Sequence, residues 1–228
     1  AAWSSGSFSY TGGSGKDELD FGQMLAADGG AASIDADEGD NTLIAGASAA
    51  SSGTLNYIGG NLADSLTFGD LVAAPNGTVT LDVGNGDNTL NVGASAASSG
   101  GVLSYTGGDH ADSLTFADYA AFFSGNVTLN AGNGDNSLTA GDFAAASNAT
   151  FAYTGGSGKD DLTFGDKLGL SSVNVTLNVG DGDNTLNAGS GAASNVAALS
   201  YTGGSGSDVL TLGNRLAING GIVQLDLG

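Results

Sequence analysis

Cysteine is absent from this chain of 228 residues, proline and histidine occur once each, and only four residues are basic. Without cysteine there is neither a disulfide scaffold nor a thiolate metal site. Four cations against 24 acidic residues give a formal charge of −20. This charge excludes nucleic acid as a partner, because phosphate binding needs a basic surface. It also opposes docking on an anionic membrane, and no apolar run is long enough for membrane insertion.

Residues that would support catalysis are equally sparse. His110 stands alone, without the serine or cysteine nucleophile that a triad requires. Paired carboxylates occur in "KDEL" and "KDDL", but at turn or outward positions, where burial would not raise one pKa as glycosidases need. Arg215 is the only arginine, which weakens a lyase-type site for anionic sugars. We therefore predict that the chain is not an enzyme.

What the chain has in abundance is glycine, with 41 residues, arranged in a repeat. Tyr10, Tyr57, Tyr105, Tyr153 and Tyr201 mark a period of 47 or 48 residues. Each repeat divides into two halves of about 24 residues, each the length of one solenoid turn. One leucine recurs in every half: Leu19, Leu43, Leu66, Leu90, Leu114, Leu138, Leu162, Leu186 and Leu210. We call the half with tyrosine and aspartate the D-type turn and the half with "GDN" the N-type turn.

Around each leucine, apolar and polar residues alternate as they do in a strand. "NVTLNVG" places Val175, Leu177 and Val179 on one face. No segment has the spacing of a long amphipathic helix, although "DKLGL" segments are compatible with a single helical turn. The sequence therefore predicts an all-β fold, a parallel β-solenoid of about ten turns. We expect one domain over residues 1–228, with two-turn repeats starting near residues 7, 54, 102, 150 and 198.

Stacking the turns predicts columns of interior residues in which large and small side chains alternate. One column reads Tyr10, Ile34, Tyr57, Leu81, Tyr105, Leu129, Tyr153, Leu177, Tyr201 and Leu225. Outward positions form polar columns, among them Thr67, Thr115, Thr163 and Thr211. Such regular threonine arrays suggest ice binding, although β-branched polar residues also suit any exposed strand.

The segment "GGSGKDDLT", from Gly155 to Thr163, fits the nonapeptide G-G-x-G-x-D-x-U-x. The segments beginning at Gly12 and Gly203 fit it as well. In these loops the chain resembles the RTX family, the haemolysin-type calcium-binding repeats of secreted bacterial proteins. The resemblance implies a β-roll, export, folding driven by extracellular calcium, and ligation by loop carbonyls and the aspartate. It covers only nine residues in each half-repeat, whereas RTX nonapeptides run in tandem.

The resemblance carries over fully to Asp17, Asp160 and Asp208, and to weaker loops at Asp64 and Asp112. The N-type turns replace this aspartate by Asn41, Asn88, Asn136 and Asn184. Aspartates two turns apart cannot share one ion, so a site would also need oxygens of the adjacent turn. The candidate metal ligands are therefore Asp17, Asp40, Asp64, Asp87, Asp112, Asp135, Asp160, Asp183 and Asp208.

A structural interpretation of the same loops explains them without an ion. Glycine supplies the positive φ of a tight bend, and Asp or Asn side chains bond local amides. An alternating Asp–Asn column would hydrogen-bond along the rod and keep like charges apart. Calcium binding and purely structural turns therefore stay open as alternatives at this point.

The first segment, "FSYTGG", and the last, "GIVQLDLG", both have the pattern of ordinary repeat strands, and no cap is visible. Open β edges template further pairing, and two different complementary ends give an open filament. The leading prediction is an extracellular or cell-surface structural protein that self-assembles head to tail into a matrix, sheath or surface layer. Trp3 is expected to pack at the junction, and a matrix or cell-surface polysaccharide is an expected partner. The alternatives are an RTX-type stalk segment of a larger secreted adhesin or toxin, and an ice-binding β-solenoid.

Overall fold

The computed structural model describes residues 5–23, 25–26 and 28–228. Within these ranges the chain is all-β, and its sheets consist of parallel strands. None of the described residues forms a helix with the length and apolarity that crossing a membrane would require. The expected packing of Trp3 lies outside the described residues.

The chain passes repeatedly through short strands separated by tight bends. In chain order they are β1 Ser7–Thr11, β2 Glu18–Asp20, β3 Ala31–Asp35, β4 Thr42–Ala45, β5 Thr54–Ile58, β6 Ser65–Phe68, β7 Thr78–Asp82, β8 Thr89–Val92, β9 Ala97–Ser98, β10 Val102–Thr106, β11 Ser113–Phe116, β12 Ala121–Phe122, β13 Asn126–Gly132, β14 Ser137–Ala140, β15 Ala145–Ala146, β16 Thr150–Gly155, β17 Asp161–Phe164, β18 Gly169–Leu170, β19 Asn174–Gly180, β20 Thr185–Ala188, β21 Ala193–Ser194, β22 Ala198–Gly203, β23 Val209–Leu212, β24 Ala217–Ile218 and β25 Ile222–Asp226.

These strands form three parallel sheets that run along the rod. The first sheet has ten strands in the order β1-β3-β5-β7-β10-β13-β16-β19-β22-β25, and the second has nine in the order β2-β4-β6-β8-β11-β14-β17-β20-β23. Each turn of about 24 residues therefore places one strand in each of these sheets. The predicted parallel β-solenoid is confirmed, with about nine full turns where the sequence predicted about ten. At 4.7–4.9 Å between strands, ten strands make a rod about 45–50 Å long.

The interior contains the columns that the alternation predicts. In the first sheet Tyr105 pairs with Leu81 on one side and Leu129 on the other. In the second sheet Phe116 pairs with Val92 and Ala140. All of these side chains are buried, so large and small residues alternate along the core. Such alternation fills a narrow interior at the density of other protein cores.

A third side closes each turn, and the sequence did not predict it. Two-residue strands form a six-stranded sheet in the order β24-β21-β18-β15-β12-β9. No helical turn forms at "DKLGL", because β18 (Gly169–Leu170) pairs with β15 and β21 there. We call this the alanine side, because alanine pairs such as Ala96 with Ala97 and Ala144 with Ala145 are buried along it. These segments lack a strand period because only two residues of each turn pair.

Candidate functional site

The bend between the first and second sheets, which we call the glycine corner, holds the aspartates singled out in the sequence. One position of this corner carries aspartate in D-type turns and asparagine in N-type turns. Its side chains are buried in the seven turns between the two end turns: Asn41, Asp64, Asn88, Asp112, Asn136, Asp160 and Asn184. Buried polar groups need partners, so the corner should contain a satisfied hydrogen-bond network.

The partner of each group is the corresponding residue of the next turn. The Asp160 backbone N–H donates to Asn184 Oδ1 at 2.8 Å, and the Asn184 N–H donates to Asp208 Oδ1 at 3.1 Å. The same contacts recur from Asp17 to Asn41 (3.0 Å) and from Asn88 to Asp112 (3.1 Å). The predicted Asp–Asn column along the rod is thereby confirmed. We call it the Asp–Asn ladder.

The asparagine amide explains why the two residue types alternate. Asn184 Nδ2 donates to the carbonyl oxygens of Gly180 at 3.3 Å and Gly182 at 3.1 Å, within its own corner. It also donates to Asp208 Oδ1 at 3.1 Å in the next turn. An asparagine therefore holds its own bend closed and gives the following carboxylate a second donor. The side chain of an aspartate at this position has no N–H group and could form neither of these contacts.

The second carboxylate oxygen faces the tyrosine of its own turn. Tyr105 Oη donates to Asp112 Oδ2 at 2.8 Å, and Tyr201 Oη donates to Asp208 Oδ2 at 2.9 Å. The corresponding atoms of Tyr57 and Asp64, and of Tyr153 and Asp160, are buried without a hydrogen-bond partner. Sequence reasoning assigned the tyrosines to core packing and missed this contact. The available signal was the constant seven-residue spacing from Tyr10 to Asp17 and in the four later pairs.

Burial shifts the ionisation of these pairs. Desolvation raises the pKa of Asp64, Asp112 and Asp160 to about 6, against the lowering effect of the hydrogen bonds from asparagine and, at Asp112, from Tyr105. Desolvation, followed by the neighbouring carboxylate, also raises the pKa of Tyr105 and Tyr153. The tyrosines therefore stay protonated, as donation to a carboxylate requires.

Glycine is required at this corner because neighbouring atoms approach its Cα too closely for a Cβ. The same close approach explains the RTX-like sequence pattern. A Cβ at Gly155 would overlap Oδ2 of Asp160, which folds back over that glycine. Gly180 has φ of +71°, and a Cβ there would overlap the carbonyl oxygen of Gly156 in the preceding turn. The G-G-x-G-x-D pattern is thus accounted for by turn stacking and by the inward aspartate.

The remaining predicted ligands, Asp40, Asp87, Asp135 and Asp183, lie on the outside of the corner and are exposed. Asp135 Oδ1 accepts the Lys159 N–H at 2.8 Å, and Asp183 Oδ1 accepts the Ser207 N–H at 2.8 Å. These aspartates therefore also link consecutive turns. Each lies next to a ladder residue in sequence, so the corner has an inner and an outer row of oxygens.

The structure separates the nine predicted ligands rather than gathering them. Over residues 5–23, 25–26 and 28–228, no three aspartate, glutamate or histidine side chains converge as a metal site would need. In the inner row, Oδ1 of Asp112 and of Asp208 accepts amide donors and Oδ2 accepts a tyrosine hydroxyl. Calcium needs six to eight oxygens, and those of Asp112 and Asp208 are already engaged as acceptors. Oδ2 of Asp17, Asp64 and Asp160 is buried without a hydrogen-bond partner. Calcium binding at the corner stays a prediction.

Comparison with known proteins adds no relative: the chain matches no family model, no curated protein and no solved structure. The likeness to RTX repeats therefore rests on the nonapeptide loops alone. The class that the fold itself defines is a parallel β-solenoid repeat protein with an internal Asp–Asn ladder.

Proposed function

We propose that this β-solenoid is a structural rod whose copies assemble end to end into extracellular filaments. The observation that supports the proposal is the state of the core at the two end turns. Phe8, Tyr10, Leu19 and Phe21 at one end are only partly buried, although the same columns are fully buried between the ends. At the other end Leu225 is 44% exposed. Another turn of the same type, placed on either end, would cover these side chains.

The strand edges match in the same way. β1 and β25 are the two outer strands of the first sheet, so each has one edge without a neighbour in that sheet. β25 ends the column of which Tyr10 is the first member, so a second copy continues the column from Leu225 to Tyr10. Contact between two different edges is heterologous and gives an open filament.

Two features would limit the strength of such a junction. The first sheet has one strand more than the second, so β25 pairs with β1 of the next copy while the second sheet is one strand short. Each copy also carries a formal charge of −20, and like charges oppose stacking. We expect assembly to strengthen with ionic strength, since salt screens these charges over about 10 Å at 0.1 M.

Electron microscopy of the purified chain at low and moderate salt tests this proposal, with two matched variants. Leu225→Asp introduces a charge on the end turn, and Leu71→Asp introduces the same charge at a side position of similar exposure, 42% against 44%. Fibres are expected for the unmodified chain and for Leu71→Asp, and short rods for Leu225→Asp. Short rods of the unmodified chain under all conditions would contradict end-to-end assembly.

Calcium is a second element of the proposal, acting through the outer row of exposed carboxylates. An ion that binds only the folded state raises its stability with concentration. The melting temperature is therefore expected to rise on adding calcium chloride and to fall on adding chelator, with magnesium as the control ion. A melting temperature that neither addition changes would mean that the glycine corners bind no calcium and have a structural role alone.

The extracellular or cell-surface location and a polysaccharide partner rest on the RTX resemblance and the acidic composition. In the alternative function, the rod is a stalk segment of a larger secreted adhesin or toxin. The regular alternation of D-type and N-type turns along the rod favours it, because further turns of the same polypeptide would cover the ends equally well. Under that alternative this chain alone forms short rods, whereas the longer polypeptide forms one continuous rod.

A further inference from the structure

The first sheet has a central region without charge on its outer face. Over the five consecutive strands β10, β13, β16, β19 and β22, every outward residue is threonine, serine, asparagine, alanine or valine. Every residue of the outermost of the three columns is exposed, and this column reads Thr106, Asn130, Thr154, Asn178 and Thr202. We call these five strands the neutral face.

The absence of charge there contrasts with three of the five other strands of the same sheet, β3, β7 and β25; β1 and β5 also lack outward charge. Asp35, Asp82 and Asp226 occupy the same outermost column on β3, β7 and β25, so the fold accepts carboxylates at this position. The chain as a whole carries 24 acidic residues. A solvated face of so acidic a protein needs no such exclusion for folding, so the neutral face calls for a partner that is itself uncharged.

The neutral face is also regular in two directions. Neighbouring strands pair residue for residue, as Thr128 does with Ser104 on one side and Ala152 on the other. Rows are therefore spaced about 4.8 Å across the strands and outward residues about 6.7 Å along them. Hydroxyl and amide groups each carry donors and acceptors, so the array offers both to solvent at fixed intervals. Within the described part of the chain, these outward side chains bond one another only from Thr128 Oγ1 to Asn126 Oδ1, at 3.4 Å.

The size, charge and composition of the neutral face determine which kind of partner it can bind. Five strands by three outward positions cover about 480 Å², below the roughly 800 Å² per partner of a stable protein interface. Anionic ligands are opposed by the net charge. No outward residue of the face is aromatic, so a sugar ring has no side chain to stack on. A partner that is neutral, periodic, extended and made of hydrogen-bonding groups remains, and ordered water meets this description.

We propose that the neutral face binds ice. The regularly spaced hydroxyl and amide groups hydrogen-bond to water molecules at a fixed spacing. The threonine methyl groups between them carry no charge and so do not order water around themselves as an ion would. The outer face of the second sheet fits this role less well, because Asp161 and its ion pair with Lys159, at 2.8 Å, lie within its array. The proposal is independent of end-to-end assembly, since the face runs along the side of the rod.

The test measures thermal hysteresis and inhibition of ice recrystallisation by the purified chain and two variants. Thr176→Tyr places a bulky ring within the neutral face, and Thr139→Tyr places the same ring at an exposed position of the second sheet. Circular dichroism establishes that each variant retains the β-solenoid. The expected result is activity in the unmodified chain, loss in Thr176→Tyr and retention in Thr139→Tyr. An inactive unmodified chain would overturn the proposal, as would equal losses in both variants or loss only in Thr139→Tyr.

Discussion

The glycine corner and the alanine side bend the same chain by different means. At the glycine corner, Asp160 and Asn184 are fully buried and bonded to their neighbours in adjacent turns. On the alanine side, buried methyl groups such as those of Ala144 and Ala145 line the interior instead. The outer residues there adopt left-handed conformations, among them Asn148, with φ of +62°. One bend is therefore held by polar pairing and the other by small residues and backbone conformation.

The difference indicates where the stacking register is specified. A column of alanines packs almost equally well against any other alanine, so the alanine side tolerates displacement of one turn against the next. The ladder does not, because each carboxylate needs donors from the turn before it, and an unpaired buried carboxylate is strongly destabilising. We infer that the glycine corner fixes both the register and the alternation of D-type and N-type turns.

The largest effect is expected from breaking the alternation. Asn184→Asp places a third carboxylate between Asp160 and Asp208 and removes the amide bonds to Gly180 and Gly182. We expect a loss of about 3–5 kcal/mol in the free energy of unfolding at pH 7. Urea denaturation followed by circular dichroism measures it.

The reverse change, Asp160→Asn, serves as the control. An asparagine there still offers Oδ1 to the N–H of Asn136, and no charge is buried. We expect no loss of stability at pH 7 and a gain of up to about 2 kcal/mol, because the desolvated charge is removed. Equal destabilisation by both variants would show that side-chain identity at this position, rather than alternation, determines stability.

Gly155→Ala tests the close approach at the corner. The new Cβ overlaps Asp160 Oδ2, so the carboxylate must shift and its Oδ1 loses the bonds from Asn136 while still buried. We expect a loss of roughly 2–4 kcal/mol. Gly13→Ala is the matched change, because a Cβ at Gly13 has no atom within 4 Å. Similar melting temperatures for the two variants would contradict a steric role for Gly155.

Acid is expected to stabilise the rod, in contrast to most proteins. The folded pKa of Asp64, Asp112 and Asp160 is about 6, above the unfolded value near 4. Folding therefore takes up protons in this interval, and stability is greatest below about pH 4 and falls as the pH rises through 6. The expected difference is on the order of 2 kcal/mol per carboxyl. Chemical denaturation at pH 4 and pH 7 measures it, and a lower stability at pH 4 would contradict it.

The smallest effect is expected on the alanine side. Val196 has φ of +64° and is 67% exposed, so a β-branched residue occupies a left-handed bend without burial to offset the strain. Val196→Gly should raise the free energy of unfolding by about 1 kcal/mol. In Val209→Gly, an exposed strand position with 58% exposure, the same change should be destabilising. Destabilisation by Val196→Gly would show that packing outweighs backbone strain there.

The sequence predicted the parts of the molecule that repeat with a strict period. The interior columns and the Asp–Asn ladder follow from alternation around each leucine and from the fixed place of the "GDN" asparagines. The third sheet was missed because two-residue strands such as Ala121–Phe122 leave no period. The hydroxyl contact of Tyr105 with Asp112 was missed because burial alone already explained the tyrosine. Calcium binding by the outer carboxylates could not be predicted in the same way, because residue spacing alone does not specify whether an ion is bound.

The central claim is that the glycine corner is held by buried aspartates whose Oδ1 atoms accept hydrogen bonds from the preceding turn. Side-chain carboxyl NMR of the folded chain over pH 3 to 8 tests it most directly. The ladder predicts that Asp64, Asp112 and Asp160 titrate near pH 6, because their carboxyl groups are desolvated, whereas the pKa of exposed Asp181 is lowered by its hydrogen bonds from Ser205. Titration of Asp64, Asp112 and Asp160 near pH 4 would place the ladder aspartates in solvent and contradict the account.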